Sequence, residues 1–372
     1  TGLLGMTITG DAFNVFVFIE ISSLSSYAMI AMGKDRRAVS ASFTYLVMGT
    51  VGATFFLIGV GLMYSMTGTL NMSDLAERLP NVYDSKAILV SFAFISIGIL
   101  LKLALFPLHL WLPNAYTYAP SIVSAFLAAT ATKVAIYILL RFGYTVFGEN
   151  FVFIKYPTTE ILFALSITAI IVCSLVAIFQ TNVKRLLAFS SLAQVGYIIL
   201  GVSFNNLHGL TAAIVHIFNH AISKGSLFLA MGCVALVVGS VNIKDFSGLG
   251  KKMPFTAFAI VIGGLSLIGV PLTAGFISKW YLILGSLDKG WWPLAFVLLL
   301  TSLLALVYVW KIVEVMYFRP TSEKVTIKEA PLSMLIPMYL LVLMTIYFGI
   351  DTSFSAGIAL DTAKSILGVS GS

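Results

Sequence analysis

Charge is scarce in this chain. Lys, Arg, Asp and Glu make up 10% of its 372 residues and 59% are hydrophobic, whereas a soluble domain carries about 25% charge. That balance excludes a water-soluble globular domain. Cysteine is nearly missing too. Cys173 and Cys233 sit inside apolar runs, without CxxC or CxxH spacing, so neither a disulfide framework nor a thiolate metal site is expected. They read as small buried hydrophobes. There is also no phosphate loop, nucleotide fingerprint, Ser/His/Asp arrangement, haem motif or cluster motif. No catalytic residue, cofactor or metal is therefore expected. The formal net charge of +7 points to membrane orientation rather than to nucleic acid.

What the chain does have is long apolar runs. A membrane span needs about 20 apolar residues. Ten are predicted, over roughly 12–33, 39–66, 87–112, 120–147, 159–180, 184–204, 209–239, 254–287, 292–318 and 332–350. The fold class is an all-α polytopic membrane protein, with a single transmembrane domain over 1–350. A tail over 351–372 contains a stretch spaced like an interfacial helix. The start, TGLLGMTITGD, has no initiator Met, and preceding helices are expected to be missing. Alternate loops hold unequal numbers of Lys and Arg. Lys34, Arg36, Arg37, Lys184, Arg185, Lys244, Lys251, Lys252, Arg319, Lys324 and Lys328 form one set; Arg78, Lys86, Lys155 and Lys289 form the other. The larger set should be cytoplasmic.

Two spans contain prolines that interrupt a helix: Pro107 in LFPLHLW and Pro271 in GVPLTAGF. Their predicted directions across the membrane are opposite, as an inverted repeat of broken helices would give. The repeats would cover about 1–147 and 159–318, with a last helix at 332–350. His109 follows the first proline and would line the break, where freed backbone groups collect.

Ionisable residues inside spans are costly and read as functional hypotheses. Glu20 lies mid-span in DAFNVFVFIEISSLSSYAMIAM, and Lys102 lies mid-span before Pro107. They are read either as a static buried ion pair or as a coupled pair through which a proton acts. Stability alone seldom favours the first. Lys133 stands in SAFLAATATKVAIYILL, either as a mid-span proton carrier or snorkelling to an interface. His216, His220 and Lys224 recur at i, i+4 and i+8 and share one helix face. Two histidines at that spacing can ligate a metal, but HExxH and an added carboxylate are missing. A hydrated proton wire or plain packing remain. Gln194, Tyr197 and Ser191 make a milder polar face, Lys279 follows Pro271 by eight residues, and Lys311 and Glu314 form an i, i+3 pair. The ionisable residues in five spans outline a lateral polar axis. Along it Lys133 would exchange its proton past His216 and His220 toward Lys279.

The runs FNVFVFIEISSLSSYAMIA, LLKLALFPLHLWLPNAYTYAPSIVSAFLAATATKVAIYILLRF, NVKRLLAFSSLAQVGYIILG, HIFNHAISKGSLFLAMG and GVPLTAGFISKWYLI resemble the proton-conducting antiporter-like membrane subunits. Respiratory complex I, Mrp-type Na⁺/H⁺ antiporters and membrane-bound hydrogenases contain such subunits. The resemblance implies a fold of about fourteen helices with two inverted five-helix repeats, of which this chain would lack the first three and most of the fourth. It implies that Glu20 and Lys102 hold the family's Glu–Lys pair, Lys133 the central-axis lysine, His216 and His220 the histidine region, and Lys279 the terminal half-channel position. Asn114 stands where the family usually has Asp. KWYLILGSL and LALVYVWKIVEVMYF look most like the Mrp D-type subunit, with a complex I or hydrogenase membrane-arm subunit as the alternative. The partners implied are other membrane subunits, the lipid bilayer and H⁺, with Na⁺ left open. The location implied is the prokaryotic cell membrane.

Overall fold

A computed structural model describes residues 1–320 and 328–369. Lys324, counted above among the cytoplasmic cations, and the last three residues of the tail lie outside the described residues. In chain order the α-helices are α1 (Gly2–Ile8), α2 (Ala12–Ala31), α3 (Arg37–Thr67), α4 (Met72–Arg78), α5 (Lys86–Leu103) and α6 (Trp111–Tyr118). Next come α7 (Ser121–Phe126), α8 (Thr132–Leu140), α9 (Thr158–Ile178), α10 (Val183–Ser203), α11 (Leu207–Val238) and α12 (Leu249–Lys252). The chain ends with α13 (Pro254–Ile268), α14 (Ala274–Asp288), α15 (Trp292–Phe318), α16 (Leu332–Ile350) and α17 (Ser353–Ile366). Among the described residues nine helical stretches are long and apolar enough to cross a membrane, and this is a multi-pass membrane protein.

The eighth expected span, 254–287, is resolved as two helices of 15 residues each, α13 and α14. Each rises only about 22 Å, short of the roughly 30 Å hydrocarbon core. Likewise the span expected over 87–112 stops at Leu103, and α6 starts at Trp111. Pro107 and Pro271 fall in the two gaps. Both first halves end in a left-handed cap. Gly269 (φ 86°) receives no Cβ penalty there, whereas Ala104 (φ 59°) adopts the same conformation with one.

The chain forms two compact units. The first comprises Thr1–Pro120, Thr130–Ile161 and Ile366–Gly368, and the second Ser121–Ala129, Val369 and the described residues of Leu162–Ser365. In the first unit α3 packs closely on α5, because Gly98 has no side chain to hold it away from the Gly52 carbonyl. In the second unit α10 is the innermost helix, with every residue from Leu186 to Ser203 buried.

Within each unit the same local devices recur at a fixed interval. Asp11 caps α2 by accepting from the Asn14 N–H at 2.8 Å, and the backbone at Asp11 bridges to Asn71. Asn182 caps α10 by accepting from the Arg185 N–H at 3.1 Å, and bridges to Asn242. Asn182 and Asn242 each follow their counterparts by 171 residues, as the left-handed cap Gly239 follows Gly68.

Candidate functional site

Breaking a membrane helix leaves backbone carbonyls without intrahelical partners, and each must find a donor where water is scarce. At the end of α13 the Gly269 N–H bonds the Leu265 and Ser266 carbonyls, and the Val270 N–H returns to Leu265. The Leu267 and Ile268 carbonyls receive the Lys279 ammonium instead, at 3.1 and 2.8 Å. Its third bond goes to Ser302 Oγ at 3.0 Å, and the Tyr197 ring centroid lies 4.8 Å away. A cation at a helix C-terminus is also where the helix dipole favours positive charge. Lys279, only 9% exposed, therefore sits in a shell supplied by the break itself.

The Leu267 carbonyl also accepts from the Gln194 amide, Nε2 to O at 3.2 Å. That bond fixes which way the amide points and turns Oε1 toward His216 Nε2, 2.8 Å away. Oε1 can only accept, so His216 carries a proton on Nε2. Its Nδ1 lies 2.6 Å from Ser278 Oγ, and that hydroxyl is also 3.1 Å from the Gly275 carbonyl. The geometry accommodates both charge states of the ring. With neutral imidazole, Ser278 donates to Nδ1; with imidazolium, Nδ1 donates to Ser278, whose proton turns to Gly275. Lys279, the Leu267 carbonyl, Gln194, His216 and Ser278 thus form one hydrogen-bonded chain.

Further along α11 the same face continues. The His220 ring is 5.8 Å from that of His216 and nearly parallel to it. Asn219 donates to the Ala274 carbonyl at 2.6 Å, at the start of α14. Ser223 bonds Ser266 at 2.8 Å, and Ser266 Oγ in turn accepts the Gly275 N–H at 3.2 Å. Lys224 is fully buried. It donates to the Leu187 carbonyl at 2.9 Å and to Ser190 Oγ.

In the first unit Lys102 occupies the last turn of α5. It donates to Ser23 Oγ on α2, and its ammonium lies 5.5 Å from the Tyr45 ring centroid. Glu20 is three residues from Ser23 on the same helix. Among the described residues no ion pair within 4.0 Å joins Glu20 to Lys102; Ser23 holds the ammonium. Trp111 stacks on Tyr45 at 4.0 Å and donates to the Leu101 carbonyl at 3.1 Å, so here an indole satisfies the broken helix. His109 is buried in the gap and stacks on Phe106 at 5.2 Å. Pro107 and Pro271 are exposed. Lys133 is buried on α8, directly after a π-helical turn at Leu127–Ala131, with Thr132 Oγ1 at 3.4 Å. Such turns often mark functional positions in helices.

The membrane-region model of NADH:quinone oxidoreductase and Mrp antiporters matches residues 9–305. This chain belongs to that family. The chain is 44% identical over 362 residues to NADH-quinone oxidoreductase subunit N of Desulforudis audaxviator, covering 94% of this chain and 72% of the relative. It is 32% identical over 369 residues to the D-type subunit of the Na⁺/H⁺ antiporter of Alkalihalophilus pseudofirmus, covering 98% and 74%. Among solved structures, a chain of the membrane-bound sulfane sulfur reductase, an archaeal respiratory membrane complex, aligns with a TM-score of 0.89 at 35% identity, covering 98% and 74%. The D-type reading and its complex I alternative both find relatives here.

For this antiporter-like protein, the sequence singled out the charged groups but not what holds them. Ser23, Ser278 and Ser302 gave no signal in so Ser-rich an apolar chain. Gln194 was visible as an isolated amide in an apolar helix. Its pairing with His216, 22 residues away, depends on how α10 packs against α11.

Proposed function

We propose that this chain is a proton-translocating subunit of a multisubunit membrane complex. It would take up and release protons at Lys102 and Lys133 in its first unit and at His216, His220, Lys224 and Lys279 in its second. The observation that carries this reading is the Lys279 ammonium at the α13 break, linked through the Leu267 carbonyl and Gln194 to a histidine able to hold either one proton or two. A structural lysine would need only acceptors. One tied to a titratable ring with a switchable hydroxyl is placed to pass charge on. In the first unit Glu20 stands one helical turn from Ser23, which holds the Lys102 ammonium, as the coupled-pair reading requires. The recurrence of caps and bridges at 171 residues supports two repeats, about 1–147 and 159–318, each with one broken helix around Pro107 or Pro271. The energy source, redox chemistry or Na⁺ exchange, would belong to partner subunits.

The test is proton translocation by the assembled complex in vesicles, followed with a pH-sensitive dye. Lys279→Met and Lys133→Met should each reduce turnover at least tenfold without loss of assembly. Full translocation in either variant refutes that lysine's role.

A further inference from the structure

The second unit carries a basic pocket that the proton path does not use. A cavity of about 490 Å³ is lined by Thr181, Asn242, Ile243, Lys244, Lys311, Val315 and Arg319; among the described residues its wall holds three cations and no carboxylate. It lies where α9 and α15 end, beside the loop after α11. Lys244 and Arg319 belong to the Lys/Arg set expected on the cytoplasmic side, and Lys311 lies two turns before the same end of α15.

The cations are held open rather than consumed by one another. Lys311 donates to the Ile178 and Gln180 carbonyls at 2.9 and 3.0 Å, which closes the end of α9 and leaves one N–H of its ammonium. Arg319 bonds a single carboxylate oxygen, Glu314 Oε1, at 3.1–3.3 Å through Nε and one terminal nitrogen. The other terminal nitrogen keeps its donors. The neighbouring carboxylate Asp245 accepts from Ser240 Oγ at 2.5 Å. Lys244 is exposed at the mouth. Thr181 and Asn242 add neutral polar groups to the wall.

Next to these cations along the chain stand exposed aromatic side chains. Phe179 is 79% exposed and Phe318 70%, and the Trp310 ring lies 5.9 Å from that of Phe318. Tryptophan near the end of a span, next to Lys311 in the chain, is an interfacial arrangement. Cationic pockets between helices at the cytoplasmic edge suit lipid phosphates.

We propose that this pocket binds the phosphodiester headgroup of an anionic phospholipid, with its acyl chains lying along α15. The phosphate oxygens take the remaining donors of Lys311, Arg319 and Lys244. The lipid is favoured over free phosphate by the adjoining exposed aromatics, which a free ion would not use.

The test is native mass spectrometry of the full chain, equilibrated in detergent with equal phosphatidylglycerol and phosphatidylcholine. Wild type should retain phosphatidylglycerol selectively. Lys244→Gln combined with Arg319→Gln should weaken retention about thirtyfold, each charge near the surface contributing roughly fivefold. Lys311 is left intact because it closes α9. The control, Lys34→Gln with Arg36→Gln, removes two exposed cations between α2 and α3 on the predicted cytoplasmic side and should leave retention unchanged. Equal loss in the control, or equal retention of phosphatidylcholine, overturns the site. Displacement of the lipid by excess inorganic phosphate overturns the lipid assignment in favour of free phosphate.

Discussion

The amide of Gln194 decides where His216 carries its proton, and this can be measured directly. With Oε1 2.8 Å from Nε2, the Nε2–H tautomer makes a hydrogen bond. The alternative tautomer sets two acceptors against each other. Leaving a buried polar group unpaired costs about 1–3 kcal/mol, so the Nε2–H tautomer should dominate by about 5- to 160-fold. Gln194→Met keeps much of the volume but removes the acceptor, and should release that preference. Gln194→Glu keeps an acceptor facing Nε2 and should restore it. Ring ¹⁵N shifts of the histidine-labelled full chain in nanodiscs report the tautomer directly. The chain has four histidines, and a His216→Gln spectrum assigns the signal. Two results would refute the reasoning: an Nδ1–H tautomer in wild type, or an unchanged ring in Gln194→Met. Ser278→Ala is a companion measurement. It removes the partner of Nδ1 but not that of Nε2, so translocation should fall about tenfold while the tautomer persists.

Two further predictions concern the scaffold. Ala104 holds a left-handed cap at φ 59°, and Ala104→Gly should stabilise the protein by roughly 0.5–1 kcal/mol, the strain relieved less the entropy of glycine; a lower thermal midpoint in detergent would contradict this. Outside the membrane, the Lys155 ammonium donates to Asp84 at 2.6 Å and holds its carboxyl below the usual range. A carboxyl lowered by folding contributes stability above its unfolded pKa of about 3.9 and loses it as pH falls through the lower folded value. Asp84→Asn should therefore remove a small amount of stability at neutral pH and flatten the acid limb, so that the two proteins converge at low pH, and parallel profiles in both proteins would count against the pair.

Much of the architecture was legible because membrane physics is strict. A run of about 20 apolar residues has few alternatives to a spanning helix, and most expected spans match observed helices within a few residues. Residues 254–287 differ. They read as one long span because hydropathy is continuous through GVPLTAGF, whereas the backbone stops at Ile268 and restarts at Ala274. Proline announced the break, but the cap at Gly269 and the capture of the Leu267 and Ile268 carbonyls by Lys279 are tertiary facts. The Glu20–Lys102 pair was equally visible as two charges within spans. Ser23, which holds the Lys102 ammonium, was not, because one serine among Ser22, Ser23, Ser25 and Ser26 carries no mark of its contact.

The sequence by itself determined the class of this protein: helical, multi-pass, with ionisable groups inside its spans and two broken helices. Those properties follow from the cost of placing charge and unbonded backbone in hydrocarbon, which applies residue by residue along the chain. Which groups meet was decided only by the packing of helices distant in sequence. α10 had to be innermost in its unit before Gln194 could face both the Leu267 carbonyl and His216. Lys279, the third residue of ISK after a proline, had to wind back onto the carbonyls of the helix that precedes it. Hydrogen bonds act over about 3 Å, and no regularity of composition or spacing fixes a distance that short between residues so far apart in the chain.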